Sequence, residues 1–184
     1  MKNTSQIKYT EYNIHGKGVP APLYVDELEK LLKSFANKET YDNGKKSSRS
    51  GDPDPYTNYA VNARTTYISN DNIINNLVPT LKKCFPNLVF RVTGNFIYGP
   101  GDGIDEHTNA NDPSDVMYIT YATGKSKFSY RYSQEEPLID TYDDINGLTL
   151  RAFTLTESEP FTFHKVECES GYRVSIGIRY VKLF

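Results

Sequence analysis

Apolar and polar positions change their period along the chain, and the first period is helical. Four apolar residues between positions 25 and 37 follow the i, i+3, i+4, i+7 spacing of one helix face: Leu28, Leu31, Leu32 and Phe35. Acidic residues occupy the first turn, where they interact favourably with the helix dipole. A second helix is predicted to begin after Ser69 or Asp71 as N-cap, and Pro79 requires it to kink or to restart.

From residue 88 onward the pattern is that of strands. β-Branched and aromatic runs separated by Gly, Pro, Asn and Asp predict six strands, at residues 88–92, 116–122, 127–132, 148–154, 161–166 and 172–181. Residues 60–68 predict one more strand. Helices followed by many short strands favour a mainly β fold with helices packed on a sandwich or barrel. The chain of 184 residues fits a single domain, 1–184, with a helical support in 1–87 and a β core in 88–184.

The segment 172–181 alternates most clearly. One face carries only apolar or aromatic residues: Val174, Ile176, Ile178 and Tyr180. The other face carries Arg173, Ser175, Gly177 and Arg179. Because side chains of a strand alternate between its two faces, both arginines are expected on the same face.

The segment 42–56 has no apolar period and contains many Gly, Pro, Asp and Ser residues. It is therefore predicted to be a long loop, which could act as a lid over a site or be disordered. Its basic residues, Lys45, Lys46 and Arg49, are interpreted as solvated charges, since no aromatic platform for bases interleaves them.

Composition narrows the function classes. A net charge of −2 gives no general attraction to nucleic acid, and no strong nucleic-acid signal is present. The two cysteines, Cys84 and Cys168, lack the spacing of a metal or redox motif and are interpreted as reduced, buried thiols. The sequence has no apolar run of signal-peptide or membrane-spanning length, so a cytoplasmic location without a membrane partner is expected.

Candidate chemistry begins at Gly-Asp-Gly-Ile-Asp-Glu-His-Thr-Asn, residues 101–109. A second isolated histidine, His164, follows His107, and the Arg173–Arg179 run comes after it. Two imidazoles and one carboxylate can hold iron(II) while leaving three positions open for a co-substrate and oxygen. An arginine can bind the far carboxylate of a chelating keto acid through a two-pronged hydrogen bond.

This order of motifs resembles the iron(II)/2-oxoglutarate-dependent dioxygenase superfamily, in its AlkB-like and prolyl-hydroxylase-like branches. The resemblance covers about residues 88 to 180 and implies a double-stranded β-helix (jelly-roll) core with two N-terminal helices packed on it. It implies metal ligands, which would also be the catalytic residues, at His107, Asn109 and His164. Arg173 lies nine residues after His164, which is close to the prolyl-hydroxylase spacing for the arginine that binds 2-oxoglutarate.

Other co-substrate contacts follow from the same resemblance. Asn95 and Tyr98 are similar to the Asn and Tyr that contact 2-oxoglutarate in the AlkB-like branch, although those alternate directly and these are three positions apart. Arg179 is similar to the second arginine of the Arg-x-Asn-x-Thr-x-Arg pattern, and either touches the other end of the co-substrate or caps its strand.

Asn109 stands where the family has a carboxylate. Asn109 itself could be the third ligand, Asp112 or Asp115 could replace it, or an anion such as chloride could occupy the position. A decayed site that only binds is the remaining alternative.

The first functional hypothesis is therefore an oxygenase that binds Fe(II) and 2-oxoglutarate, hydroxylates a C–H bond and releases succinate and CO₂. Its substrate could be a protein side chain, a nucleobase or a small molecule. The alternative is a catalytically inactive jelly-roll that serves as a binding or structural protein, for instance in a virus or phage. A third hypothesis is a cupin-like enzyme that uses a metal without 2-oxoglutarate.

Overall fold

The structure, a computed structural model, describes residues 9–14, 18–53 and 60–183. Helices α1 and α2 are Val25–Phe35 and Lys38–Asn43; α3 (Asn70–Asn72) continues through a π-helical stretch, Ile73–Leu77, into α4 (Val78–Cys84). The strands in this part of the chain are β1 Thr10–Asn13, β2 Lys45–Pro53, β3 Ala60–Tyr67, β4 Leu88–Tyr98, β5 Gly103–His107, β6 Ser114–Ala122, β7 Ser126–Arg131, β8 Ile139–Tyr142, β9 Gly147–Leu155, β10 Phe163–Cys168 and β11 Arg173–Lys182.

Eight of these strands form two antiparallel halves. One half has the order β9-β6-β11-β4 and the other β5-β10-β7-β8. The chain passes repeatedly from one half to the other, and β3 joins them because it pairs with both β4 and β5. The result is a mainly β, nearly closed barrel. The predicted double-stranded β-helix, or jelly roll, is confirmed.

The helices pack on the outer face of the β9-β6-β11-β4 half. Apolar residues of α1 and α4, among them Leu28, Leu32 and Leu81, share one buried cluster with the even-numbered residues of β11 from Val174 to Tyr180. The odd-numbered residues of β11 face the inside of the barrel. The alternation predicted for residues 172–181 is therefore confirmed, and β11 forms a wall between two buried regions.

The predicted helix starts are confirmed with one refinement. Ser69 accepts a hydrogen bond from the Asn72 amide at 3.4 Å, as an N-cap does. Pro79 lies in the first turn of α4, directly after the π-helical stretch, and Leu77 and Val78 before it are both helical. The helix therefore runs on through Pro79, and the π-helical stretch is the irregularity that precedes the proline. No helix in the described ranges is long and apolar enough to cross a membrane.

The loop predicted for residues 42–56 is wrong over most of its length. Helix α2, capped by the Asn37 side chain, reaches Asn43, and β2 then pairs with β3 from Lys45 onward. Strand β2 pairs through its backbone and has no apolar alternation, so the pattern of side chains could not predict it. Residues 54–56 lie outside the described residues. The support predicted as helical in 1–87 thus also contributes three strands, of which only β3 was predicted.

Candidate metal centre and its cavity

The two predicted metal-ligating histidines face each other. His107 ends β5 and His164 lies in β10, where antiparallel pairing places the two residues directly opposite. Residues directly opposite in an antiparallel pair project from the same side of the sheet. Their ring centroids are 4.3 Å apart. Strand register therefore unites two imidazoles that are distant in sequence.

Backbone carbonyls fix the tautomer of both rings. Nδ1 of His107 lies 2.8 Å from the Asp105 carbonyl oxygen, and Nδ1 of His164 lies 3.0 Å from that of Thr162. A carbonyl can only accept, so each Nδ1 donates and each neutral ring presents Nε2 as the basic nitrogen. Burial, and next the neighbouring His107, lower the pKa of His164 well below its ordinary value. This orientation is the one that metal-binding histidines adopt.

Asn109 completes the cluster. Its side-chain nitrogen Nδ2 lies 3.2 Å from Nε2 of His164. The residue adopts φ 54°, a left-handed conformation that asparagine tolerates well. Burial raises the pKa of Tyr118, and a side-chain hydrogen bond with Asn109 partly opposes that rise. A half-turn of the amide would place its oxygen, a possible metal ligand, where the nitrogen now lies.

The two alternative aspartates have other partners. Asp112 forms ion pairs with Arg91 at 2.6 Å and with Arg179 at 2.7 Å. Asp115 accepts a hydrogen bond from the Thr154 hydroxyl at 2.7 Å. Within the described residues, no group of three His, Cys, Asp or Glu side chains could hold a metal. A third side chain at the histidine pair is the amide of Asn109, 3.2 Å from Nε2 of His164.

A cavity of about 520 Å³ opens beside this cluster. Residues of β2 and β3 form one wall, while β4 and β11 form another. The lining is neutral, aromatic or hydroxyl-bearing, and Arg179 is the one Lys, Arg, Asp or Glu among the described lining residues. The cavity thus offers a ligand one cationic side chain and many uncharged ones next to the two imidazoles.

The predicted co-substrate residues divide into two pairs. Tyr98 and Arg179 line the cavity. Asn95 does not, because an odd spacing from Tyr98 places it on the opposite face of β4, where its side chain donates to the Ile68 carbonyl at 3.0 Å. Arg173 is also absent from the lining. It is completely buried, and its guanidinium carbon lies 5.4 Å from the centroid of the Tyr98 ring.

Arg173 belongs to a buried charge cluster with Arg151 and Asp143. Nε of Arg173 donates to Asp143 Oδ2 at 2.8 Å, and Nη1 of Arg151 donates to Asp143 Oδ1 at 2.5 Å. Burial alone would raise the pKa of Asp143, but the two guanidiniums hold it well below its usual range. Arg151 and Asp143 were missed in the sequence. The available signal was a lone arginine inside the apolar run of residues 148–153.

Comparison with known proteins gives likenesses of structure alone. No family model matches the chain, and no curated protein matches it in sequence. An oxidoreductase of the 2OG-Fe(II) oxygenase family from Burkholderia pseudomallei aligns with a TM-score of 0.44 and 9% identity, over 94% of this chain and 95% of that one. A prolyl-4-hydroxylase from Pseudomonas putida aligns with a TM-score of 0.43 and 14% identity, over 88% and 89%.

The cupin domain of CENP-C from Drosophila melanogaster aligns with a TM-score of 0.33 and 6% identity, over 84% of this chain and 92% of that one. Likenesses at this level do not assign a reaction. The chemistry of the site therefore rests on the chain's own residues within a jelly-roll barrel.

Proposed function

We propose that the protein is an iron(II)- and 2-oxoglutarate-dependent oxygenase that hydroxylates a C–H bond of its substrate. The observation that carries the proposal is the histidine pair: His107 and His164 lie opposite each other beside a cavity, and the Nδ1–H of each ring donates a hydrogen bond to a backbone carbonyl. A purely structural barrel does not require two imidazoles with this tautomer at the edge of a cavity.

The donor set suits a divalent first-row metal. Two imidazole nitrogens and an amide oxygen are acceptable ligands for iron(II), although a neutral amide binds it less strongly than a carboxylate. His107, His164 and Asn109 would hold the ion. When bound, iron would supply the activation of oxygen that is coupled to splitting 2-oxoglutarate into succinate and CO₂. The chain itself would orient the reactants and exclude water from the cavity.

Positive charge supports the choice of a dicarboxylate co-substrate. The buried cluster of Arg173, Arg151 and Asp143 holds two cations against one anion. Arg179 lines the cavity and is paired there with Asp112. We assign the far carboxylate of 2-oxoglutarate to Arg173 and the metal-proximal end to the side of the cavity with Arg179. Since Arg173 is fully buried against Tyr98, we expect this tyrosine to shift when the carboxylate binds.

The test is an anaerobic titration with iron(II) and then 2-oxoglutarate, followed through the weak visible charge-transfer band of the ternary complex. The band should appear in the wild type and vanish in His107→Ala and His164→Ala, whose folding is checked by circular dichroism. Asn109→Asp should strengthen iron binding by on the order of a hundredfold, because a unit charge beside a divalent ion contributes a few kcal/mol even at an effective dielectric constant of about 20. A wild type that takes up neither ligand contradicts the proposal.

One observation favours the non-enzymatic jelly-roll as a second candidate. Nδ2 of Asn109 occupies the hydrogen-bonding side of His164 Nε2, the nitrogen that a metal would need. If the Asn109 amide keeps this hydrogen bond, Nε2 of His164 is not free to bind a metal ion. Failure of iron(II) to bind at millimolar concentration would support this reading. If iron binds and activity survives in Arg173→Ala, a cupin-like enzyme that works without 2-oxoglutarate is supported instead.

A further inference from the structure

The charge cluster inside the barrel is unbalanced. The side chains of Arg151, Asp143 and Arg173 are completely enclosed, and they bring two positive charges and one negative charge together. Burying an uncompensated charge is costly, so such groups are normally paired. One carboxylate shared by two guanidiniums leaves a surplus positive charge inside the barrel.

The two arginines are satisfied unequally. Arg151 donates from Nε to the Thr141 hydroxyl at 2.7 Å, from Nη2 to the Thr141 carbonyl at 2.9 Å, and from Nη1 to Asp143. Arg173 has its Nε bond to Asp143 and a 3.3 Å contact from Nη2 to the Thr120 hydroxyl. Its buried Nη1 has no hydrogen-bond partner among the described residues. The unsatisfied donor thus lies on Arg173.

Asp143 cannot satisfy that donor. Its Oδ1 accepts from Arg151, while its Oδ2 accepts from Arg173 and also from the Ser126 hydroxyl at 2.6 Å. Arginine pairs best with a carboxylate through two parallel hydrogen bonds, and Arg151 prevents Asp143 from offering both oxygens to Arg173. Arg173 is consequently only partly neutralised, and it contacts Tyr98, a residue of the cavity wall.

We propose that Arg151 is a positioning residue that sets the selectivity of the site for a dicarboxylate: by sharing Asp143, it keeps Arg173 available for a second carboxylate. The inference rests on the proposed function and extends it to two residues, Arg151 and Asp143, that do not line the cavity. Without Arg151, both oxygens of Asp143 can turn to Arg173, the cluster becomes neutral, and an incoming carboxylate has to displace Asp143.

The test compares two keto acids that share one head group. The iron-loaded wild type and the Arg151→Met variant are titrated by calorimetry with 2-oxoglutarate and with 2-oxobutyrate, which lacks the far carboxylate. A hydrogen bond to a charged group contributes about 1.5–3 kcal/mol, so 2-oxoglutarate should bind the variant about 10- to 100-fold more weakly. Binding of 2-oxobutyrate should change by less than about twofold, since it does not reach Arg173. An equal loss for both ligands, or no loss for either, overturns the proposal.

A measurement on the wild type keeps the proposal testable if Arg151→Met does not fold. Metal-free protein is melted with glutarate, a dicarboxylate without the keto group, and with butyrate as its matched control. Glutarate should raise the melting temperature and butyrate should not, because only a dicarboxylate offers the cavity a second anionic end. Equal effects contradict the proposal. Glutarate binding does not need iron, so this result is separable from a failure of the proposed oxygenase.

Discussion

Strand β11 separates two buried regions that are built on opposite principles. On its outer face, Ile176 and its even-numbered neighbours pack against α1 and α4 in a layer without charges. On its inner face, Arg179 joins two histidines and several hydroxyl groups around a cavity. Arg173 lies outside that lining, in the buried charge cluster with Asp143. The difference shows that alternate residues of one strand can serve opposite purposes. The even-numbered residues bury apolar surface, which stabilises the fold, whereas the odd-numbered residues place polar groups inside the barrel, which costs stability.

The largest loss of stability is expected when Asp143, the carboxylate shared by Arg151 and Arg173, is replaced. Asp143→Asn leaves two buried guanidiniums without a counter-charge, so the free energy of unfolding should fall by about 3–5 kcal/mol. Urea denaturation at neutral pH measures the loss. The control is Ser126→Ala, which removes one hydrogen bond to the same carboxylate and should cost about 1 kcal/mol. Equal losses in the two variants would mean that the cluster is held by hydrogen bonding rather than by charge balance.

Effects of intermediate size are expected at two adjacent residues of β11, Ile176 on its outer face and Gly177 on its inner face. Ile176→Val removes one buried methyl group from the apolar layer, so stability should fall by about 0.5–1.5 kcal/mol while iron affinity stays unchanged. Gly177→Ala acts on the inner face, where a new Cβ would lie 2.8 Å from a ring carbon of Tyr118. Tyr118 forms a side-chain hydrogen bond with Asn109, which is a proposed metal ligand. A displaced Tyr118 should therefore weaken iron binding.

Iron titration measures the iron affinity of the two variants, and urea denaturation measures their free energy of unfolding. The comparison between the faces would fail if Ile176→Val altered iron affinity as much as Gly177→Ala does.

The smallest expected effect lies outside both regions. On the outer surface of the barrel, Lys127 bridges Asp140 at 2.9 Å and Glu167 at 3.2 Å. Asp140→Asn should cost less than about 1 kcal/mol at neutral pH, as exposed ion pairs do. Hydrogen bonds from Ser129 and Lys127 lower the pKa of Asp140 from 3.8, so its contribution is present above pH 3.8 and is lost as the pH falls through the lowered value. Denaturation of wild type and variant should therefore converge in acid; a gap that widens there would contradict this account.

Local patterns predicted the parts of the fold that are governed by side-chain burial. The face of α1 and the alternation of β11 were readable because each buries one face against the same layer. Strand β5 was not predicted because Gly103–His107 contains one apolar residue, Ile104, and pairs with both neighbouring strands through its backbone. Strand β2 was not predicted for the same reason, since it is largely polar and pairs with β3 through its backbone.

The site was predictable in its residue types but not in its distances. His107 and His164 could be singled out as isolated histidines in a suggestive order, but only the register between β5 and β10 brings their rings to 4.3 Å. The partners of Arg173 could not be foreseen. Asp143 follows the short strand β8 and Arg151 lies in β9, and no sequence spacing relates these two positions to β11.

The position of β11 has a consequence for how the protein is made. It comes last among the described strands, yet it lies between β4 and β6, which are synthesised much earlier. A growing chain can therefore form α1, α4 and most of the barrel's hairpins before this wall of the cavity exists. Non-local pairings of this type slow folding and leave strand edges exposed in the meantime. On the ribosome, an unfinished barrel would therefore present the facing edges of β4 and β6 as an open gap until β11 is inserted between them.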